Sequence, residues 1–138
     1  MDALEAIRSR RSVRAYLDKP VPRDLLSALI EDGSNAPFTP IASAGAWHFT
    51  VLIGHDWIAD IGVRALNHAR ANRPQLAGYE WTERHGFSVF HGAPAVIVIS
   101  GREALPVALE ECTRAALIVD IAARPRGLGL CWVGSPMM

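Results

Sequence analysis

The amino-acid sequence predicts one α+β domain, in which a sheet of few strands is layered against helices. The chain has 138 residues, half of them apolar, which is enough for one core and too little for two. Segments with helical spacing outnumber strand-like runs, and these runs lie far apart in the chain. No internal repeat or low-complexity segment interrupts the pattern. We therefore predict a single domain over residues 1–138.

Two helices are predicted near the amino terminus. Asp2 and Glu5 have the spacing of a capping box before a short helix. Pro22 can occupy the first turn of a second helix, whose apolar stripe ends near Gly33. The stripe consists of Leu25, Leu26, Leu29 and Ile30.

The middle of the chain alternates between loops and regular elements. Residues 34–46 contain prolines, a glycine and small side chains, which predicts an ordered loop. WHFTVLI, residues 47–53, alternates as a strand with one buried face does. Asp56 is expected to cap a third helix that ends before Pro74. Residues 74–92 leave two interpretations open, a lid over a pocket or a surface loop with its own small apolar cluster.

The last third of the chain supplies the most apolar segments. Residues 93–100 form a continuous apolar run of strand length, which predicts a central strand. The longest helix is predicted over residues 107–124. Its stretch AALIVDIAA is apolar nearly all round, interrupted only by Asp120, so we expect it in the core or against another subunit. Pro125 ends it. Residues 129–134 are predicted to return as a short strand.

Composition excludes several classes of function. Lys plus Arg equal Asp plus Glu at 14 each, so no net charge attracts nucleic acid or an anionic membrane. No apolar run approaches the roughly 20 residues that cross a bilayer, and no secretion signal opens the chain. Cys112 and Cys131 are expected to be reduced thiols. Together these features predict a cytoplasmic protein that binds neither nucleic acid nor membranes.

The basic segment, residues 8–14 (RSRRSVR), concentrates positive charge in a neutral chain. Guanidinium groups, a hydroxyl and backbone amides within one turn are the donors that a phosphate monoester needs. A solvated basic face after a helix is the other interpretation, because the helix dipole also favours cations there. The residues alone leave both open.

Other sites of chemistry are not predicted. The carboxy-terminal glycines fail the dinucleotide fingerprint, which needs a glycine where Trp132 stands. There is no phosphate loop and no nucleophile elbow. The five histidines lack ligand spacing, so no metal is expected. Glu110 and Glu111 are adjacent and cannot share a helix face, so no catalytic side chain is assigned.

Four segments occur in a fixed order along nearly the whole chain: MDALEAIRSRRSVRAY, the pair Ala36 and Pro37 followed by Trp47 and Phe49, HGAPAVIVIS, and AALIVDIAARPRGLGLCWVG. In this order they resemble the nitroreductase family of flavin enzymes. The resemblance implies a layered α+β fold, with a central, mostly antiparallel sheet flanked by helices, in a homodimer.

The resemblance also implies an FMN site. Arg10, Arg11 and Ser12 would hold the phosphate and ribityl oxygens, and Arg14 would approach the pyrimidine edge of the ring. A backbone amide at Gly134 would address N5 of the flavin. Trp132 would flank the ring or pack in the core. The loop residues implied to reach the flavin of the neighbouring subunit are Pro37, Phe38 and Thr39.

The implied activity is a ping-pong reaction in which NAD(P)H passes hydride to flavin N5 and an electron-poor acceptor, a nitroaromatic or a quinone, then takes it up. No protein nucleophile is needed, because the cofactor carries the chemistry. Two alternatives stay open. One is a flavin-binding protein without turnover, and the other is a basic interaction module for an anionic partner.

The chain departs from the family pattern in two places. Many members carry Asn, Gln and Pro where this chain has Ser43, Gly45 and Ala46. Members usually continue into a carboxy-terminal arm, whereas this sequence stops at SPMM, either as a natural short form or as an incomplete sequence. Asn67 and Arg70 weakly resemble a flavin-directed pair, although a solvated helix face is the favoured interpretation.

Overall fold

A computed structural model describes residues 1–38, 47–72, 82–102 and 107–134. The regular elements within these ranges are mostly helical and include one pair of strands, which confirms the predicted α+β class. In chain order they are helix α1 (Ala3–Ser9), helix α2 (Arg23–Ser34), strand β1 (Trp47–Ile53), helix α3 (His55–Asn72), strand β2 (Ala95–Gly101), helix α4 (Ala108–Ala123) and a 3-10 turn (Arg124–Arg126).

The helix starts follow local chemistry. The carboxylate of Asp2 accepts a hydrogen bond of 2.8 Å from the Glu5 amide, so the predicted cap of α1 is confirmed. Pro22 lies just before α2, and its carbonyl accepts a bond of 3.2 Å from the Leu26 amide. Helix α3 begins at His55, so the prediction that Asp56 caps it is wrong. A carboxylate in the first turn still favours the helix through the dipole.

Strands β1 and β2 form an antiparallel pair. The Ser100 hydroxyl donates to the His48 carbonyl at 3.5 Å, and the Gly54 amide donates to the Pro94 carbonyl at 3.4 Å. From the first of these bonds to the second, the residue number rises in β1 and falls in β2, so the two strands run antiparallel. Both strands lie within one or two residues of their predicted bounds.

The predicted strand over residues 129–134 is wrong. Only Leu130 pairs there, in an isolated parallel bridge with Ser12. Gly129 and Gly134 stand at the two ends of the predicted segment, and glycine weakens a strand because it lacks a side chain to pack and loses much entropy on ordering. The segment therefore contributes one bridge rather than a ladder.

The chain divides into two compact units. The first comprises Met1–Val13, Val21–Val51 and Ile97–Trp132. Its buried core contains Leu29, Val119 and Ala123, with Phe49 packed against them. A Cβ at Gly33 would lie 2.7 Å from Val119 Cγ2, so this glycine permits the close contact between α2 and α4.

The second unit comprises Arg14–Pro20, Leu52–Val96 and Val133–Met138. Its core contains Ile58, Val89 and Phe90. For residues 82–92 this burial favours the small-cluster interpretation over the lid; residues 73–81 lie outside the described ranges. The single domain over residues 1–138 stays a prediction.

Helix α4 is less uniformly buried than its composition predicts. Ala115, Val119 and Ala123 are buried, whereas Leu109 and Leu117 are 61% and 48% exposed. Among the helices of the described ranges, none is both long and apolar enough to span a bilayer.

Candidate functional site

Backbone hydrogen bonds hold the central part of the basic segment, residues 10–13, at both of its ends. The Arg10 amide donates to the Ala6 carbonyl at 3.1 Å and closes α1. Two residues later Ser12 forms the parallel bridge with Leu130, and the Val13 amide donates to the Leu130 carbonyl at 2.9 Å. Residues 10–13 therefore follow a defined path rather than fraying from the helix.

Gly129 allows this pairing. A Cβ at position 129 would lie 2.8 Å from Val13 Cγ2 and 3.0 Å from Val13 Cβ, closer than side-chain atoms approach one another. Sequence reasoning missed this role, because it considered the glycine only as part of a dinucleotide fingerprint. The available signal was the β-branched Val13, but nothing local shows that the two residues meet.

Arg10 forms an ion pair with Asp120 of α4. Arg10 Nη1 lies 3.1 Å from Asp120 Oδ2. Asp120 is only 8% exposed, whereas the Arg10 side chain is 37% exposed. A carboxylate removed from water needs a cation beside it, so this pair explains how an apolar helix tolerates Asp120. The acidic residue in the apolar run was visible in the sequence, but its partner was not.

The other donors of the basic segment lie at the surface. Arg11 is exposed, and its Nη1 donates to the carbonyls of Arg8 at 3.1 Å and Arg10 at 2.7 Å. A cation at the end of α1 is favourable because the last carbonyls of a helix carry partial negative charge. Ser12 and Arg14 are also exposed. The segment thus presents charged and hydroxyl donors on a fixed backbone.

In the second unit, the charge of Arg14 acts on His91. Burial is the main reason that the pKa of His91 lies below its ordinary value of 6.5, and the positive charge of Arg14 lowers this pKa further. His91 adopts a left-handed backbone conformation, with φ of 54°, and its amide donates to the Ser88 carbonyl at 3.1 Å. Both the burial and the charge of Arg14 disfavour the protonated imidazole of His91.

Replacing Arg14 with Met is expected to raise the pKa of His91 toward 6.5, because one of its two causes is removed. In the wild type, His91 binds fewer protons in the folded chain than in the unfolded chain just below pH 6.5. Stability therefore falls as pH falls through this window, and the variant should show a smaller fall. Histidine NMR titration measures the pKa. Arg23→Met is the control, and a His91 pKa that is unchanged in Arg14→Met contradicts the prediction.

The implied ring-binding residues lie in open surroundings. Phe38 is 52% exposed and makes an edge contact with Trp47, with ring centroids 6.2 Å apart. Trp132 is 45% exposed, so the core interpretation of this residue is wrong. A Cβ at Gly134 would meet no atom of the described chain within 4 Å. Pro37 is exposed, and Thr39 lies outside the described residues.

The weakly predicted flavin-directed pair and the departures from the family pattern were the remaining sequence predictions. Arg70 donates a short hydrogen bond to the hydroxyl of Thr82, which is 8% exposed, while Asn67 is exposed. The departures from the family pattern, Ser43, Gly45 and Ala46, lie outside the described residues. Where the structure describes the chain, no three His, Cys, Asp or Glu side chains group as metal ligands.

An open cavity in the first unit lies apart from the predicted site residues. It has a volume of about 410 Å³ and is lined by residues in or next to α1, α2, α4 and the 3-10 turn, none of which was predicted to bind a ligand. Arg126 and Asp32 line it and form an ion pair of 2.7 Å. The Arg126 Nη1 also donates to the Ala122 carbonyl at 2.9 Å. Like the Arg10–Asp120 pair, this ion pair lies within the first unit, but neither of its residues belongs to the basic segment.

Comparison with known proteins gives a consistent result. A family model for the nitroreductase family matches residues 7–138. A protein of Methanothermobacter thermautotrophicus, named as an NADH dehydrogenase/NAD(P)H nitroreductase, is 28% identical over 97% of this chain and 61% of its own length. The chain thus spans about three-fifths of that curated relative.

Solved structures agree on the fold. A Bacteroides fragilis nitroreductase crystallised with FMN is 28% identical, with a TM-score of 0.83 over 98% of this chain and 71% of that one. A Desulfitobacterium hafniense nitroreductase, also crystallised with FMN, has a TM-score of 0.80 over 99% of this chain and 74% of that one. At 23% identity the second supports the fold alone.

Proposed function

The chain belongs to the nitroreductase family, and from this premise we propose that it is an FMN-dependent oxidoreductase. It would pass hydride from NAD(P)H to an electron-poor acceptor, a nitroaromatic or a quinone, by a ping-pong mechanism. The similar proteins support this proposal through the FMN in the Bacteroides fragilis crystal and the name of the Methanothermobacter relative.

One observation carries the proposal: the basic segment combines a fixed backbone with exposed donors. The bond of 2.9 Å from the Val13 amide to the Leu130 carbonyl holds the segment, while Arg11 and Ser12 stay exposed. A phosphate monoester has three oxygens that accept several charged or hydroxyl donors. We propose that Arg10, Arg11 and Ser12 bind the phosphate and ribityl oxygens of FMN.

The open position at Gly134 fits a flat ring. No described atom would contact a Cβ there, so packing against the described residues does not require glycine. A ligand that approaches the backbone closely does require it. We propose that the Gly134 amide contacts the flavin ring, with the exposed Trp132 beside it. Pro37, Phe38 and Thr39 are proposed to reach the flavin of a second subunit.

Bound FMN would supply the electron transfer itself. The chain's own residues bind the phosphate, orient the ring and leave one of its faces accessible to both substrates. Arg14 would place a positive charge near the carbonyl edge of the ring and favour the negative charge that reduction brings. These tasks need no protein nucleophile.

Replacing Arg14 with Met is expected to make the midpoint potential of bound FMN more negative by about 30 mV. The variant lacks the cation that stabilises the negative charge of the reduced flavin. For two electrons this shift corresponds to about 1.4 kcal/mol. Equilibration with a reference dye measures the potential. Arg23→Met removes an exposed arginine of α2 and should leave the potential unchanged. Equal potentials in wild type and Arg14→Met contradict the role given to Arg14.

A homodimer is proposed as the active assembly. Leu109 and Leu117 of α4 and Ile7 of α1 are 61%, 48% and 53% exposed. Apolar surface of this kind is covered when two copies pack about a two-fold axis. We expect a dimer in sedimentation velocity at micromolar concentration, and a monomer under those conditions contradicts the proposal.

The function is tested by reduction and reoxidation of the purified protein loaded with FMN. NADH or NADPH should bleach the flavin absorption without oxygen, and menadione or nitrofurazone should restore it. Parallel double-reciprocal plots would support the ping-pong order. Bound flavin that no nicotinamide reduces would favour the flavin-binding alternative. A colourless protein that cannot be reconstituted would favour the anion-binding module.

A further inference from the structure

Asp120 is an unusual residue for its surroundings. It lies in the most apolar stretch of α4, between Val119 and the partly buried Ile121, and is 8% exposed. Its carboxylate pairs at 3.1 Å with Arg10, which is 110 positions away in the sequence. Helix α4 therefore fixes one side chain of the basic segment as well as forming the core.

The ion pair uses only part of the Arg10 guanidinium. One nitrogen, Nη1, lies against Asp120, and 37% of the side chain is exposed. A guanidinium has five N–H donors in a planar fork, so a second acceptor can bind another edge of the same group. The Arg10 backbone is also fixed, because its amide donates to the Ala6 carbonyl at 3.1 Å.

We propose that Asp120 is a positioning residue for phosphate binding. It holds one edge of the Arg10 guanidinium so that the other edge is oriented toward the phosphate of FMN before the ligand arrives. An arginine that is already immobilised loses less side-chain entropy when it binds an anion. This inference rests on the proposed function, since it concerns the same ligand.

The test compares FMN with riboflavin, which has the same ring and lacks the phosphate. Flavin fluorescence gives both dissociation constants, and their ratio isolates the phosphate contribution from any general loosening of the fold. In Asp120→Leu the ratio of riboflavin to FMN constants should fall about tenfold, equivalent to about 1.4 kcal/mol. Asp120→Asn keeps an acceptor for Arg10 and should recover most of the ratio.

Two further variants complete the design. Arg10→Lys keeps the charge but lacks the second edge of the fork, so it should also lose about tenfold of the ratio, the size of one charged hydrogen bond. If Asp120→Leu does not fold, an unchanged ratio in Arg10→Lys still overturns the inference, because Asp120 would then have no phosphate-binding arginine to position. Asp32→Leu removes the carboxylate of the 2.7 Å pair with Arg126 and should leave the ratio unchanged.

The outcomes separate the inference from the function. If the wild type binds FMN and Asp120→Leu weakens FMN and riboflavin equally, Asp120 is only structural and the inference is overturned. An unchanged ratio in Arg10→Lys overturns it as well. If the wild-type chain binds neither flavin, the proposed function fails, and the inference fails with it.

Discussion

Replacing Arg10 with Met is expected to lower the free energy of unfolding by about 2 to 4 kcal/mol, whereas Asp120→Leu should change it by less than about 1 kcal/mol. The first change removes the cation from the Asp120 side chain, which is only 10% exposed in the wild type. The second removes the charge that needed compensation and leaves Arg10, whose side chain is 37% exposed, in contact with water. For Arg10→Met we expect a loss near the lower end of this range, because the Arg10–Asp120 pair is only partly buried.

Urea denaturation of the two single variants and the double variant measures this asymmetry. The double variant Arg10→Met with Asp120→Leu should be more stable than Arg10→Met alone, since the unpaired carboxylate is gone. Equal losses in the two single variants, or a double variant that loses their sum, would show that the ion pair does not control the stability of α4.

A methyl group at position 129 is expected to destabilise the protein by about 1 to 3 kcal/mol, which is typical of overpacking. The new Cβ would lie 2.8 Å from Val13 Cγ2 and 3.0 Å from Val13 Cβ, so the clash cannot be relieved by rotating the valine alone. The basic segment must then move away from Leu130. Gly129→Ala should therefore also weaken FMN binding.

Gly134→Ala is the matched control for this prediction. No described atom lies within 4 Å of its Cβ, so we expect a change in stability within about 0.5 kcal/mol. Its proposed role concerns the ligand, and the variant should weaken FMN without unfolding the chain. Thermal denaturation without flavin distinguishes the two variants, and equal melting temperatures would contradict the packing role of Gly129.

Local chemistry made much of the fold predictable from the sequence. The Asp2 cap, the stripe of α2 and the alternation in β1 each depend on residues a few positions apart. The cap and the stripe were confirmed, and the alternation holds for residues 47–51 but fails at Ile53, which is 45% exposed. The strand over residues 129–134 was wrong because an apolar composition predicts burial but does not supply a neighbouring strand, and only Leu130 of this segment pairs. For residues 82–92, burial of Phe90 in the core of the second unit favours the small apolar cluster over the lid.

The candidate site could be found in outline but not in detail. The basic segment stands out because its charge is concentrated in one turn, yet nothing local shows which arginine is held by the core. The partner of Arg10 is 110 residues away, and the neighbour of Gly129 is Val13, so both contacts depend on tertiary structure. The sequence analysis missed these two contacts because each joins residues that lie more than a hundred positions apart in the chain.

Phosphorus NMR of FMN with the wild-type chain tests the central claim most directly, because the only phosphorus atom belongs to the group that Arg10, Arg11 and Ser12 are proposed to bind. We predict a bound resonance displaced from that of free FMN. The phosphate should titrate at lower pH than in free FMN, since nearby cations favour the dianion. A bound flavin whose phosphate titrates as in free FMN, or no binding at all, would contradict the account.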